Sequence, residues 1–163
     1  MDVRGVSIWD SFCSTPGKVL GGHSGEPACR HYFRYAEDVG IMRDLGLNSY
    51  RFSLAWPRLM PEGRGKLNSK GLDFYRRLVD SLLESEIRPM ATLYHWDLPQ
   101  ALQDKGGWAS ADTPKRFADY CFAVFDKLAD AVPMWITINE PAVTAILGHV
   151  TGEMAPGHRD ARE

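Results

Sequence analysis

The sequence lacks the features that mark several large classes of protein. Its 163 residues carry a formal net charge of −2, which offers no basic surface to nucleic acid or to an anionic membrane. No apolar run approaches the roughly 20 residues that span a bilayer. The opening residues, MDVRGVSIWD, show no signal-peptide pattern. We therefore expect a cytoplasmic protein with no nucleic-acid or membrane partner.

Cysteine is also scarce. Cys13, Cys29 and Cys121 are odd in number and widely spaced, which favours reduced thiols over a disulfide framework or a zinc site. The sequence contains no glycine-rich phosphate loop, HExxH motif or Ser-His-Asp order. It therefore predicts no metal site, and it predicts none of these common types of catalytic site.

The remaining composition is that of an ordinary globular domain with many aromatic residues. Hydrophobic residues make up 44% of the chain and charged residues 25%, and the length suffices for one domain with a hydrophobic core. The chain has five tryptophans, six tyrosines and seven phenylalanines. Aromatic residues line clefts that bind sugars, but they also fill cores, so their number alone does not decide between the two.

Helical and strand patterns alternate along most of the chain. Residues 1–30 are rich in Gly, Ser and Pro and predict a loop-rich lead-in, whereas residues 31–163 predict helix and strand repeats. Apolar stripes predict helices that begin near residues 31, 69 and 112, with Gly46 as the stop of the first. Strands are predicted over 48–56, 89–96 and 134–139, and a short helix within 142–150.

This alternation predicts an α/β fold with a parallel sheet. The predicted strands end at Trp56, Trp96 and Glu140, steps of 40 and 44 residues, which leave room for a crossover helix between strands. No glycine fingerprint follows any of the three strands, so part of a (β/α)₈ barrel fits better than a nucleotide-binding sheet. No linker divides the chain.

Polar and aromatic residues gather at the predicted strand ends. Arg51, His95, Trp96, Asn139 and Glu140 lie in or directly after the three strands. In parallel α/β folds, ligands bind beyond the carboxyl ends of the strands. Three separate strands therefore deliver these side chains toward one end of the sheet, where we expect a binding or catalytic site.

Each candidate has a structural interpretation beside the functional one. Glu140 suits a general acid if a poorly solvated cleft raises its pKa, and it suits a solvated turn equally well. Asn139 offers an amide to a hydroxyl-rich ligand or forms a turn before proline. His95 and Trp96 are more often structural than functional. Arg51 needs an anionic partner, either a carboxylate nucleophile or a structural salt bridge.

Four segments resemble a known family when they are taken together. They are SIWDSFCSTPGKV, YRFSLAWPRLMPEGRGKLNSKGLDFY, TLYHWDLPQALQDKGGW and WITINEP. Over about residues 5–160 the chain resembles glycoside hydrolase family 1, the β-glucosidase family. The resemblance implies a (β/α)₈ barrel, a β-glucoside or oligosaccharide substrate, retaining hydrolysis and no cofactor.

The resemblance also implies a role for each strand-end residue. Glu140 looks like the general acid/base, and Asn139 resembles the residue that holds the substrate 2-hydroxyl. His95 and Trp96 look like members of the glycone subsite, and Arg51 resembles the arginine that pairs with the nucleophile. A retaining enzyme needs a second carboxylate about 5–5.5 Å from the first, and the ENG segment that carries it in the family does not occur here.

The match covers what looks like strands two to four of the barrel. A complete barrel needs roughly 200 residues or more. We therefore expect residues 1–163 to be an incomplete family 1 catalytic domain that is inactive in isolation. Asp97 matches a structural position of the family and not the nucleophile. The alternative is a non-catalytic half-barrel that binds sugar, self-associates or complements a separate C-terminal half, since open sheet edges favour pairing.

Overall fold

A three-stranded parallel sheet lies at the centre of the molecule. The computed structural model describes residues 4–162, so the two ends of the expected domain 1–163 fall outside the described residues. The strands are β1 (Ser49–Ser53), β2 (Arg88–Tyr94) and β3 (Met134–Ile138), in the order β1-β2-β3. Both pairings are parallel, with Thr92 opposite Ser53 on one side and Ile136 on the other. The predicted parallel arrangement is confirmed.

Helices connect the strands, as parallel pairing requires. The helices are α1 (Ile8–Ser14), α2 (His31–Asp44), α3 (Trp56–Leu59), α4 (Ser69–Glu84), α5 (Gln100–Gln103), α6 (Thr113–Leu128) and α7 (Pro141–Val143). A π-helix over Thr144–Val150 continues α7, and 3₁₀ turns occupy Leu20–Gly22 and Gly107–Ala109. None of the helices within residues 4–162 is long and apolar enough to cross a bilayer.

The first half of the chain differs from the sequence prediction in two places. Strand β1 ends at Ser53, and Trp56 begins α3 instead of ending the strand. Proline lacks an N–H and has a fixed φ, and Pro57 therefore suits the first helical turn. The lead-in also contains a helix, because Ser7 and Asp10 form a reciprocal capping box that starts α1.

The turns from helix to strand use left-handed residues. Gly46 (φ 72°) ends α2, as predicted, and Glu86 (φ 59°) ends α4. In both turns the N–H of the following residue donates to a carbonyl five positions back, at 3.0 and 2.9 Å. This is the Schellman arrangement, which satisfies carbonyls that the helix end leaves open.

The core lies between the sheet and the inner faces of α4 and α6. Strand β2 is almost wholly buried, and α4 and α6 cover it with Leu78, Leu82, Val124 and Leu128. Some residues of the apolar stripes that predict the helices are 45% or more exposed: Phe33, Ile41, Leu45, Leu83 and Phe125. Helical periodicity identifies the apolar positions of a helix, but burial also needs a neighbouring element that covers the side chain.

Candidate active site

The carboxyl ends of the three strands meet at one edge of the sheet. The backbone ladder continues past β3, because the N–H of Asn139 donates to the carbonyl of Tyr94 at 2.9 Å. This bond sets Asn139 beside the start of the turn that follows β2. The five residues predicted from the sequence are brought together at this edge, which we call the carboxyl rim.

Arg51 links all three strands. From β1, its Nε donates to Thr92 Oγ1 of β2 at 2.9 Å, and its terminal nitrogen donates to Asn139 Oδ1 at 2.5 Å. The sequence predicted a carboxylate partner, whereas the partners found within residues 4–162 are a hydroxyl and an amide oxygen. Thr92 was missed by sequence reasoning. Its sequence signal is a hydroxyl within an apolar stretch of strand, and the structure buries Thr92 fully.

Asn139 is the hub of the rim. Asn139 is nearly buried, and its backbone carbonyl oxygen accepts a hydrogen bond from the indole Nε1–H of Trp96 at 2.9 Å. A guanidinium only donates hydrogen bonds, so the amide oxygen of Asn139 faces Arg51. The amide NH₂ is thereby directed away from Arg51, where it can donate to a ligand.

His95 is fixed by a neighbouring strand. Its Nδ1 lies 2.7 Å from Ser53 Oγ, a partner that sequence reasoning did not identify. Desolvation lowers the pKa of His95, the nearby charge of Arg51 lowers it further, and Glu140 opposes both. The ring is therefore neutral at pH 7, with one nitrogen donating and the other accepting.

Two residues of the rim have left-handed backbones. Trp96 has φ 74° and Glu140 has φ 42°, a region that costs residues with a Cβ about 1–2 kcal/mol. Pro141 directly follows Glu140 and begins α7, and a residue before proline is disfavoured in the right-handed helical region. Strands β2 and β3 end at Tyr94 and Ile138, two residues before the predicted ends Trp96 and Glu140. Pro141 turns the chain directly after Glu140, which is exposed. Strained residues of this kind cluster at functional sites.

Asp97 is the second carboxyl group near the rim, but its surroundings differ. Burial raises the pKa of Asp97 to about 8, although Arg4 and backbone N–H groups oppose the shift. Its Oδ1 is sealed from solvent without a hydrogen-bond partner. With Arg4, Ser7 and Asp10 it lines a cleft of about 780 Å³ on the α1 side. No group of metal-ligating side chains was found in the described part of the chain.

The whole chain, residues 1–163, matches the sequence model of glycosyl hydrolase family 1. The chain belongs to this family. It is 57% identical over 161 residues to β-glucosidase A of Acetivibrio thermocellus, and 54% identical over 159 residues to β-glucosidase A of Thermotoga maritima. These alignments cover 99% and 98% of this chain but 36% of each relative.

Solved family 1 structures show the same arrangement. The family 1 β-glucosidase from Thermotoga maritima superposes with a TM-score of 0.96 at 53% identity, over 98% of this chain and 36% of that one. The same enzyme has been solved in complex with deoxynojirimycin. The three strands and their helices are therefore part of a (β/α)₈ barrel, as expected, and the chain spans about a third of its relatives' length.

Proposed function

We propose that the whole protein hydrolyses terminal β-D-glucosyl bonds with retention, and that this chain supplies the general acid/base, Glu140. The observation that supports the proposal most is the hydrogen-bonded cluster of Arg51, Asn139 and Trp96, which ends directly at Glu140. The names of the relatives agree, since they are β-glucosidases.

In this proposal, the carboxyl group of Glu140 donates its proton to the glycosidic oxygen as the bond to the anomeric carbon breaks. A second carboxylate attacks that carbon from the other face and forms a covalent glycosyl intermediate. Glu140 then removes a proton from the water that releases the sugar. No second carboxylate belongs to the rim cluster described for residues 4–162, so the nucleophile comes from another segment.

The other rim residues bind the sugar or hold these groups in place. The NH₂ of Asn139 donates to a sugar hydroxyl, because its oxygen already accepts from Arg51. The neutral ring of His95 bonds a second hydroxyl through Nε2, since Nδ1 is occupied by Ser53. Arg51 is exposed toward the rim, where its remaining N–H groups pair with the nucleophile carboxylate.

The test uses a grafted enzyme, in which this chain replaces the matching segment of the Thermotoga maritima β-glucosidase. Glu140→Gln should lower kcat/KM on phenyl β-glucoside by about 100- to 10,000-fold. Glu153→Gln, at an exposed residue beyond the π-helix, is the matched control. In Glu140→Ala, azide should restore turnover of an activated substrate as β-glucosyl azide, because azide needs no general base. Wild-type activity in Glu140→Gln would refute the assignment.

The isolated chain provides a second test. Residues 1–163 alone should not hydrolyse a chromogenic β-glucoside, because one carboxylate cannot perform both steps of retention. Turnover by the isolated chain that Glu140→Gln abolishes would show that a nucleophile lies within these residues.

The second candidate function is a non-catalytic module that associates with other protein. Within residues 4–162, β1 and β3 each pair on one side only. Exposed apolar side chains accompany these open edges: Phe33, Ile41, Leu45 and Leu47 near β1, and Phe122, Phe125 and Met134 near β3. If the chain is such a module, residues 1–163 should sediment as a dimer or larger species, because the open edges pair with a second copy. Restored hydrolysis on mixing with the separately produced remainder of the Thermotoga enzyme would instead support the catalytic proposal. A monomer in sedimentation would exclude the module.

A further inference from the structure

We infer that Trp96 is a positioning residue for Glu140 and acts through the carbonyl of Asn139. The inference rests on the proposed role of Glu140 as the acid/base. It assigns to Trp96 a task different from contact with the sugar, which is the role that the family resemblance implies.

The contact that carries the inference is a single hydrogen bond. The indole Nε1–H of Trp96 donates to the carbonyl oxygen of Asn139 at 2.9 Å. That carbonyl belongs to the peptide group that joins Asn139 to Glu140. A peptide group is planar, so a bond that fixes its oxygen also fixes the N–Cα bond of Glu140, about which its φ turns. The φ of Glu140, 42°, then sets the direction of the Cα–Cβ bond, so the indole positions the side chain of Glu140 through the backbone.

Glu140 needs this restraint because its backbone is unfavourable on its own. Its φ of 42° lies in the left-handed region, where a Cβ crowds the carbonyl. Such a conformation persists only where the surroundings determine it from several sides. The N–H and the side chain of Asn139 are held before this peptide, and after it the N–H of Val143 donates to the carbonyl of Glu140 at 2.9 Å. Trp96 restrains the peptide between them, which joins Asn139 to Glu140.

The turn that holds the indole is itself anchored at both ends. On one side Ser53 bonds the ring of His95 at 2.7 Å. On the other side the N–H of Ile8 donates to the carbonyl of Leu98 at 2.9 Å. The left-handed φ of Trp96, 74°, lies between these anchors. Because the N–H of the indole is used on the Asn139 carbonyl, the ring can border a sugar only with its carbon atoms.

The chemistry predicts which reactions depend on Trp96. A poor leaving group such as phenolate requires proton donation from Glu140 as it departs, whereas 2,4-dinitrophenolate departs without a proton. A misdirected Glu140 therefore lowers kcat/KM, which reports the step that breaks the glycosidic bond, selectively for phenyl β-glucoside. A loss of folding or of sugar binding would lower the rate for both substrates alike.

The experiment compares Trp96→Phe with Trp108→Phe in the grafted enzyme. Trp108→Phe is the matched control, because it makes the same substitution at a tryptophan that packs against Tyr94. For Trp96→Phe we expect kcat/KM on phenyl β-glucoside to fall about 10- to 100-fold, the effect of a misplacement near 1 Å. The kcat/KM on 2,4-dinitrophenyl β-glucoside should fall by less than about threefold. Trp108→Phe should leave the ratio of the two rates unchanged.

An isosteric variant separates the hydrogen bond from the packing of the ring. Replacing Trp96 by β-(3-benzothienyl)alanine exchanges the N–H for sulfur at nearly constant shape, so folding is preserved. It should show the same selective loss as Trp96→Phe. A wild-type ratio of the two rates in this variant, or an equal loss on both substrates in Trp96→Phe, would overturn the inference.

Glu140→Gln, measured on the same two substrates, distinguishes this inference from the proposed function. If Glu140→Gln shows no selective loss on phenyl β-glucoside, the acid/base assignment itself fails. If Glu140→Gln shows the selective loss and the Trp96 variants do not, only the positioning role fails.

Discussion

The two rims of the sheet use the same unfavourable backbone conformation for different purposes. Trp96 and Glu140 are left-handed at the carboxyl rim, and Glu86 is left-handed at the opposite rim, where α4 turns into β2. Glu86 is restrained by bonds to its own helix, only a few residues back. Glu140 also has a local bond, from the N–H of Val143 to its carbonyl, but the peptide before it is held by the indole of Trp96 from the turn after β2. A left-handed φ alone therefore does not distinguish the two rims, whereas the range of the restraints does.

This difference follows from what each rim has to accomplish. At the opposite rim the chain only needs to reverse, and a local Schellman turn is sufficient. In the proposed function, the side chain of Glu140 at the carboxyl rim has to point at a reacting atom, and a local turn alone would leave that direction free. Bonds from three strands remove this freedom, at the cost of a strained backbone.

The largest expected effect comes from one substitution made at both rims. Glu140→Gly and Glu86→Gly relieve the same backbone strain, but only the first removes the proposed acid. In the grafted enzyme, Glu140→Gly should lower kcat/KM on phenyl β-glucoside by about 100- to 10,000-fold. Glu86→Gly should leave it unchanged. Similar losses at the two positions would remove the functional distinction between the rims.

The next effect is a pH dependence of the free energy of unfolding, caused by Asp97 near the carboxyl rim. Asp97 titrates at about 8 in the folded chain, against 3.8 as its ordinary value. Between these values the folded state keeps a proton that the unfolded state has lost, so the free energy of unfolding falls as pH rises. The slope is up to about 1.4 kcal/mol per pH unit. Asp97→Asn should remove it, as measured by urea unfolding of this chain at pH 5 and 8.

Asp73→Asn removes one exposed charge from α4 and controls for the change in net charge. The same slope in the wild type and in Asp97→Asn would contradict the raised pKa of Asp97. The sign of the slope identifies its cause, because a carboxylate stabilised by an ion pair would give the opposite slope.

A smaller effect separates two glycines in helices. A Cβ on Gly71, in the first turn of α4, would lie 2.5 Å from the backbone oxygen of Arg58, whereas a Cβ on Gly40 in α2 would meet nothing within 4 Å. Gly71→Ala should therefore lower the free energy of unfolding by about 1–3 kcal/mol. Gly40→Ala should raise it by about 0.5–1 kcal/mol. Urea denaturation of both variants measures the difference, and two gains would show that the close approach at Gly71 is easily relieved.

The smallest effect compares the two Schellman turns of the opposite rim. Glu86→Gly should raise the free energy of unfolding by about 0.5 kcal/mol, because glycine tolerates the left-handed region but adds freedom to the unfolded chain. Gly46→Ala makes the reverse change at the matching position and should lower it by about 1 kcal/mol. Chemical denaturation resolves both shifts. A loss in Glu86→Gly would indicate that its side chain makes a stabilising contact.

Periodicity and turn chemistry predicted much of the fold. The alternation of helices and strands, the parallel sheet and the role of Gly46 could be predicted because they depend on neighbouring residues. The boundary near Trp56 was wrong, since Pro57 can end a strand or begin a helix and only the surrounding packing decides. The exposure of Phe33 and Phe125 could not be predicted for a related reason: an apolar stripe shows which face of a helix is suited to burial, but not which element covers it.

The sequence by itself determined the family, through its four motifs, and placed five candidate residues at the strand ends. Only the tertiary structure decided their partners. Arg51 reaches Thr92 and Asn139, Ser53 holds His95, and the indole of Trp96 bonds the peptide before Glu140. Each of these contacts joins residues about 40 or more positions apart, and its geometry depends on the register between strands. A local pattern fixes the face on which a side chain lies, whereas the register chooses the atom that it meets.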